Sequence, residues 1–257
     1  MINYALITGA TSGIGYELAK IFAANGFGLV LVSSHAERLH STKAQLQEKA
    51  DVPIHIFTQD LSQLGAAQQL YESVKQAQLP ISVLVNNAGF GLVGATHEID
   101  LAQDERMLIL NVISPVELCK LFLADLAAVG QAKQAKRGKI LNVASTGAFQ
   151  PGPYTSTYFA SKAFVLSYSR AIRYEAKKLG VQVSTLCPGS TKTRFFDKEG
   201  MPTPAMAMSA ERVARIAFRG LMRNQEVIVP GILNQLARPL PMKLKIAAIA
   251  RMKASDG

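Results

Sequence analysis

The sequence predicts an α/β fold: a doubly wound parallel sheet of about seven strands, in a single domain. Three observations predict it. Strand-like and helix-like segments alternate from the first residues onward, the pattern of a parallel sheet with helices on both faces. The second strand-like run, 28–33 (Gly-Leu-Val-Leu-Val-Ser), is apolar without alternation, as a strand covered on both faces should be. Across the 257 residues there is no internal repeat, no low-complexity tract and no linker long enough to divide two domains.

Each element follows from its residues. Tyr4 to Thr8 is strand-like, and residues 13–25 then place Ile14, Leu18, Ile21 and Phe22 at helical spacing. After the second strand, a polar helix covers about 36–50, and residues 53–58 form the third strand. Residues 62–77 read as a helix opened by Ser62, and 81–86 as the fourth strand. The stretch 98–129 is long and helical, either two helices or one bent near Ser114-Pro115, because proline removes a helix N–H. Residues 138–143 make the fifth strand, 156–179 a helix and 181–187 the sixth strand. A helix over 209–224 and a short seventh strand over 226–229 complete the alternation.

Two stretches break the pattern. Residues 188–208 are rich in Pro and Thr and carry Phe195, Phe196, Met201, Met206 and Met208. A long loop within one domain is expected to be a substrate loop, or else a surface excursion with buried apolar anchors. The tail, 232–257, is basic and helical, with Met242, Ile246 and Ile249 on one face and Lys243, Lys245 and Arg251 elsewhere. That face is expected to pack on the domain or a neighbouring subunit rather than on lipid.

Composition excludes several classes. Apolar residues make up 49% of the chain, ordinary for a soluble protein, and no run of about 18 uncharged apolar residues suggests a spanning helix. The strand-like run at Tyr4 leaves no room for a signal peptide before it, so a cytoplasmic, reducing location is expected. Cys119 and Cys187 lack metal-ligand spacing and a disulfide framework, so no metal site is expected. The net charge is +10; from Glu211 onward nine Lys/Arg face three Asp/Glu. Without zinc-finger spacing or aromatic-basic interleaving, this charge reads as a solvated basic surface and not as a nucleic-acid site.

The turn between the first strand and first helix reads Thr8-Gly-Ala-Thr-Ser-Gly-Ile-Gly15. Gly9 permits the tight turn, Gly13 lets the backbone approach a pyrophosphate and Gly15 lets helix pack on sheet. The helix N-terminus behind them, with Thr11, Ser12 and Ile14, offers N–H groups and positive potential to phosphate. About twenty residues on, such a site chooses between a ribose and its 2′-phosphate. The second strand ends there in Ser33-Ser34-His35 with no Asp or Glu, while Ser34, His35 and Arg38 can all donate to phosphate. NADP(H) is therefore expected over NAD(H).

A third cluster lies between Ser145 and Lys162. Tyr158 and Lys162 are four apart, one turn along the same helix face. A cation beside a phenol favours the phenolate, lowers a pKa otherwise near 10 and lets the group pass a proton near neutral pH. Ser145 ends the apolar run 139–144, which places it at a strand's carboxyl end, where open α/β sheets bind ligands.

Gly9…Gly13-Ile14-Gly15, Asn86-Asn-Ala-Gly89, Asn111, Ser145, Tyr158-x-x-x-Lys162 and Pro188-Gly189 together resemble the short-chain dehydrogenase/reductase family. The likeness runs from the first strand through Thr193, and it implies a Rossmann-like, cofactor-binding fold. It also implies roles. Tyr158 would be the acid/base at the carbonyl oxygen, Ser145 would hold that oxygen, and Lys162 would lower the phenol's pKa and bind the nicotinamide ribose. Asn111 would keep a water behind Lys162. Gly9, Ser12, Ile14 and Gly15 would surround the diphosphate. Asp60, with Leu61 beside it, would meet the adenine, and Asp60 would also serve as a cap for the helix opened by Ser62. Asn87, Ala88 and Gly89 would line the cofactor floor, and Pro188, Gly189, Thr191 and Thr193 would contact the nicotinamide. Ser190 departs from the second Pro of many members, and neither Ser12 nor Ser34 is the Arg that NADP-using relatives often carry.

The reaction implied is hydride transfer between nicotinamide and a small carbonyl/alcohol substrate. Residues 90–93, Phe149-Gln150 and the loop after Thr193 suggest an apolar moiety on it. The resemblance also implies a homodimer or homotetramer paired through the long helices of 98–129 and 156–179. Two alternatives are a non-catalytic NAD(P)-binding sensor or scaffold, and a membrane-surface enzyme acting on lipid-like substrates.

Overall fold

The computed structural model describes residues 2–131, 138–193 and 207–254. Strand β1 (Tyr4–Thr8) leads through helix α1 (Gly13–Ala24) to β2 (Gly28–Ser33), α2 (Ala36–Gln47) and β3 (Ile54–Thr58). Helix α3 (Ala66–Gln76), β4 (Ile81–Asn86), α4 (Leu101–Leu108) and α5 (Ser114–Gln131) follow, then β5 (Lys139–Val143), α6 (Ser156–Lys178) and β6 (Gln182–Leu186). Two short strands, β7 (Thr191–Lys192) and β8 (Met208–Ser209), pair at the ends of the expected substrate loop, whose residues 194–206 lie outside the described set. The chain then runs through α7 (Ala210–Met222), β9 (Val227–Ile228), α8 (Ile232–Ala237) and α9 (Met242–Ala254).

Seven strands form one parallel sheet in the order β3-β2-β1-β4-β5-β6-β9. The chain winds outward from β1 to β3, returns to the other side of β1 and winds out again to β9. The reversal between β1 and β4 opens a crevice at their carboxyl ends.

Strand alternation divides the core between the two faces. Ala5 and Ile7 of β1 face α1, α2 and α7, where they meet Leu18, Phe22, Leu39 and Val213. Tyr4 and Leu6 face α3 and α5, against Leu70, Leu118 and Phe122. Phe22 is fully buried, edge-on to Phe27 at 5.2 Å and to Phe218 at 5.1 Å. A fully buried side chain of this kind contributes about 1.5–3 kcal/mol.

Two elements differ from the sequence reading. Helix α3 starts at Ala66 with Gly65 at its cap, so Ser62 does not open it. Asp60 instead holds a turn: its carboxylate accepts from the Ser62 N–H (3.1 Å) and hydroxyl (2.7 Å). The long helical stretch is continuous, but residues Ile109–Ile113 between α4 and α5 form a π-helical turn. Pro115 has no N–H for the carbonyl of Asn111 four residues earlier, and the helix widens over that turn. Taken as one stretch, Leu101–Val129 is long and apolar enough to cross a membrane, although Asp104, Glu105, Arg106, Glu117, Lys120 and Asp125 interrupt it. In this fold α5 packs along β4 and α3.

Candidate active site

The crevice holds a cleft of about 430 Å³ at the carboxyl end of the sheet. Thr8, the last residue of β1, fastens its rim. Its buried hydroxyl accepts from the N–H groups of Asn87 and Ala88, both at 3.0 Å, and the Asn87 amide donates back to the Thr8 carbonyl at 2.9 Å. The turn after β1 and the end of β4 are thus held against each other across the switch point.

Gly9 and Gly13 have φ of +64° and +54°, a region that side chains with Cβ rarely adopt. Both line the cleft with Thr11, Ser12 and Ile14. Gly15 does not line it; a Cβ there would run into the Gly9 carbonyl oxygen and the Asn87 amide, so its part is to let α1 pack. Ser12 caps α1 without a side-chain hydrogen bond, and the first turn carries no acid. Amides uncompensated by a local carboxylate, opening on a glycine turn, fit an anionic diphosphate.

Ser34, His35 and Arg38 line the end of the cleft beyond β2. The Ser34 hydroxyl lies 3.4 Å from His35 Nδ1, and the His35 N–H donates to Ser33 Oγ at 3.4 Å. Asp60 and Leu61 line the same end, and Asp60 also pairs with Arg106 at 3.5 Å. Burial pushes the Asp60 carboxyl up, but hydrogen bonds from Ser62 and Gln63 and the charge of Arg106 leave its pKa below the usual value.

At the other end stand Ser145, Tyr158 and Lys162, with Asn87, Ala88 and Gly89 as floor and Pro188, Gly189, Thr191 and Thr193 along the edge. Ser145 Oγ accepts from the Gly147 N–H at 3.0 Å, which fixes the hydroxyl at the start of a short 3-10 turn. Lys162 is 5% exposed; its ammonium donates to the Val143 carbonyl at 3.1 Å and lies 5.8 Å from the centre of the Tyr158 ring. Burial pulls the Lys162 pKa down to about 8, against an opposing contribution from the Cys187 thiol. A buried ammonium has three N–H donors, and one carbonyl uses only one of them; this suits a ribose diol.

Asn111 sits behind the cleft wall. Its amide donates to the Phe90 carbonyl (2.9 Å) and Ser161 Oγ (3.2 Å), and its oxygen accepts from the Phe90 N–H (3.3 Å). A Cβ on Gly89 would come within 2.8 Å of Asn111 Oδ1 and 3.2 Å of Lys162 Nζ. The missing side chain of Gly89 thus leaves room for both Asn111 and Lys162.

Several lining residues were not foreseen. Gln59, Leu110, Thr146, Thr155, Phe159 and Ser190 are there because their neighbours in sequence are. Ile249 is different: it comes from α9, some sixty residues beyond the last motif, and is 7% exposed against the cleft.

This fold and cleft define an α/β protein of the dinucleotide-binding class, with a cluster of polar and ionisable side chains at its switch point. The profile of the short chain dehydrogenase family matches residues 3–202. The chain is 34% identical over 197 residues to sulfoacetaldehyde reductase of Chromohalobacter salexigens, covering 76% of this chain and 75% of that one. It is 28% identical over 222 residues to 7beta-hydroxysteroid dehydrogenase of Clostridium sardiniense, covering 85% and 82%. The structure of a short-chain dehydrogenase from Sphingobium yanoikuyae in complex with NADPH superposes with a TM-score of 0.83 at 27% identity, covering 98% of this chain and 94% of that one. The chain belongs to the short-chain dehydrogenase/reductase family and is an enzyme of that oxidoreductase class.

Proposed function

We propose that this enzyme is NADP(H)-dependent and interconverts a carbonyl and an alcohol, with Tyr158 as acid/base. The observation that carries the reading is the meeting of Ser145, Tyr158 and the buried cation of Lys162 at one end of a cleft that the glycine turn also lines. When bound, the nicotinamide supplies or accepts the hydride. The chain's own residues do the rest. Ser145 holds the substrate oxygen, Tyr158 gives that oxygen a proton in reduction or removes one in oxidation, and Lys162 stabilises the phenolate. Asn111, locked to Phe90 and Ser161, holds the back of the site and is the residue to keep a water behind Lys162.

Preference for the 2′-phosphate is supported by Ser34, His35 and Arg38 at the end of β2, a strand end that carries no carboxylate of its own, while the Asp60 carboxylate at the same end of the cleft is engaged by Ser62, Gln63 and Arg106. The NADPH complex of the Sphingobium yanoikuyae relative points the same way. Phe90, Phe159 and Ile249 favour a substrate with an apolar moiety. Leu108, Ile113 and Phe164 stand exposed on the long helices, and we assign them to a homodimer or homotetramer interface in a cytoplasmic protein. A panel of aldehydes and ketones, followed by oxidation of NADPH and of NADH, tests the assignment. Turnover faster with NADPH is expected; no oxidation of either nucleotide across the panel would return the chain to a binding role.

A further inference from the structure

Among the described residues, six of the fifteen large apolar side chains that remain exposed fall within thirteen consecutive positions, 232–244. Ile232, Leu233, Leu236, Leu240, Met242 and Leu244, all within α8, α9 and the turn between them, are 47% to 74% exposed. A soluble protein rarely leaves so many together without a partner. The same segment is basic: from Ile232 onward it carries Arg238, Lys243, Lys245, Arg251 and Lys253 against Asp256 alone. Lys243 and Arg251 are exposed alongside the apolar residues.

The segment is fastened at the cleft. Lys245 donates to the carbonyls of Phe149 (3.4 Å) and Arg238 (2.9 Å), and the Arg238 guanidinium lies 4.6 Å from the centre of the Phe149 ring. Helix α9 therefore turns Ile249 inward to the cleft while Met242 and Leu244 face out.

We propose that α8 and α9 form a docking surface for an anionic phospholipid bilayer. Apolar side chains flanked by Lys and Arg match the two layers of such a surface, acyl chains beneath negatively charged headgroups. A second copy of the chain fits less well. A two-fold interface brings a patch against itself, which would set Lys243 and Arg251 against their own counterparts with Asp256 as the segment's one acidic residue. Docked this way, the mouth beside Ile249 lies next to the membrane, where an apolar substrate partitions. The surface stands on its own observations and is tested without turnover.

The test is co-sedimentation of the full chain with vesicles of phosphatidylcholine alone or mixed in equal parts with phosphatidylglycerol. Pelleting is expected with the mixed vesicles and not with phosphatidylcholine alone, weakening as salt is raised. The triple variant Leu233→Gln, Leu236→Gln, Leu244→Gln should stay in the supernatant while keeping the parent's thermal midpoint. The double variant Lys243→Glu, Arg251→Glu should bind at least about tenfold more weakly. Failure of the parent chain to pellet, or equal pelleting of the triple variant, overturns the proposal. So does a triple variant that loses oligomer mass in sedimentation velocity while the parent ignores vesicles, since the face then covers a second copy.

Discussion

The ammonium of Lys162 lies 5.8 Å from the centre of the Tyr158 ring, one turn further along α6, on a side chain only 5% exposed. Burial lowers its pKa from 10.5 to about 8. Between those values the unfolded chain holds a proton that the folded chain has lost, so stability rises with pH through that window. Below about 8 both states are protonated, and the cost of burying the charge is present in full. Lys162→Met should therefore raise the thermal midpoint of the ligand-free protein at pH 7 by roughly 5 °C, with the gain shrinking toward pH 10. Scanning calorimetry at the two pH values measures this. A variant less stable than its parent at pH 7 would mean that the hydrogen bond to Val143 outweighs the burial cost.

Tyr158→Phe removes one oxygen and keeps the ring edge-on to Phe159, 6.0 Å away. Turnover should fall by about 10²-fold or more, the usual loss when a positioned acid/base is removed. Nucleotide affinity, measured by fluorescence titration, should stay within about twofold of the parent. Undiminished turnover would take Tyr158 out of the chemistry.

The sheet could be read from the sequence because its strands are short apolar runs between helical spacings, a local signal. The glycine turn and the Tyr158–Lys162 pair were legible for the same reason: each is a few residues on one element. What escaped depends on long-range geometry. The start of α3 moved because Asp60 spends its carboxylate on Ser62 and a glycine takes the cap. The π turn at Asn111 needed a comparison of Pro115 with the carbonyl four residues back, and a propensity reading passes over that. Ile249 carries no motif, and only the fold of α9 brings it to the cleft.

Gly89→Ala tests how closely Asn111 and Lys162 pack on the backbone of Gly89. The added methyl would sit 2.8 Å from Asn111 Oδ1 and 3.2 Å from Lys162 Nζ. Both groups are buried, and Asn111 is tied to Phe90 by two hydrogen bonds, so neither yields without loss. The expected cost is about 1–3 kcal/mol in urea unfolding. Turnover should fall by about 10²-fold, because displacing a catalytic group by an ångström is enough for that. A variant with parental turnover would show that Lys162 moves aside freely.

Ser34→Asp tests the choice of nucleotide. Ser34 stands at the end of β2 beside His35 and within reach of the same part of the cleft as Arg38. A carboxylate there would oppose a 2′-phosphate and accept from a 2′-hydroxyl, so the two nucleotides should respond in opposite directions. Two unit charges about 4 Å apart near a protein surface interact by a few kcal/mol, and solvent screening reduces that. The variant's KM for NADPH should rise by about 10- to 100-fold while its KM for NADH holds or falls. Arg38→Leu removes attraction without adding repulsion, so it should weaken NADPH by the smaller factor, about tenfold, and leave NADH unchanged. If both variants weaken NADH and NADPH alike, the end of β2 is only shaping the adenosine pocket, and the preference for a phosphorylated ribose must be sought elsewhere along the cleft.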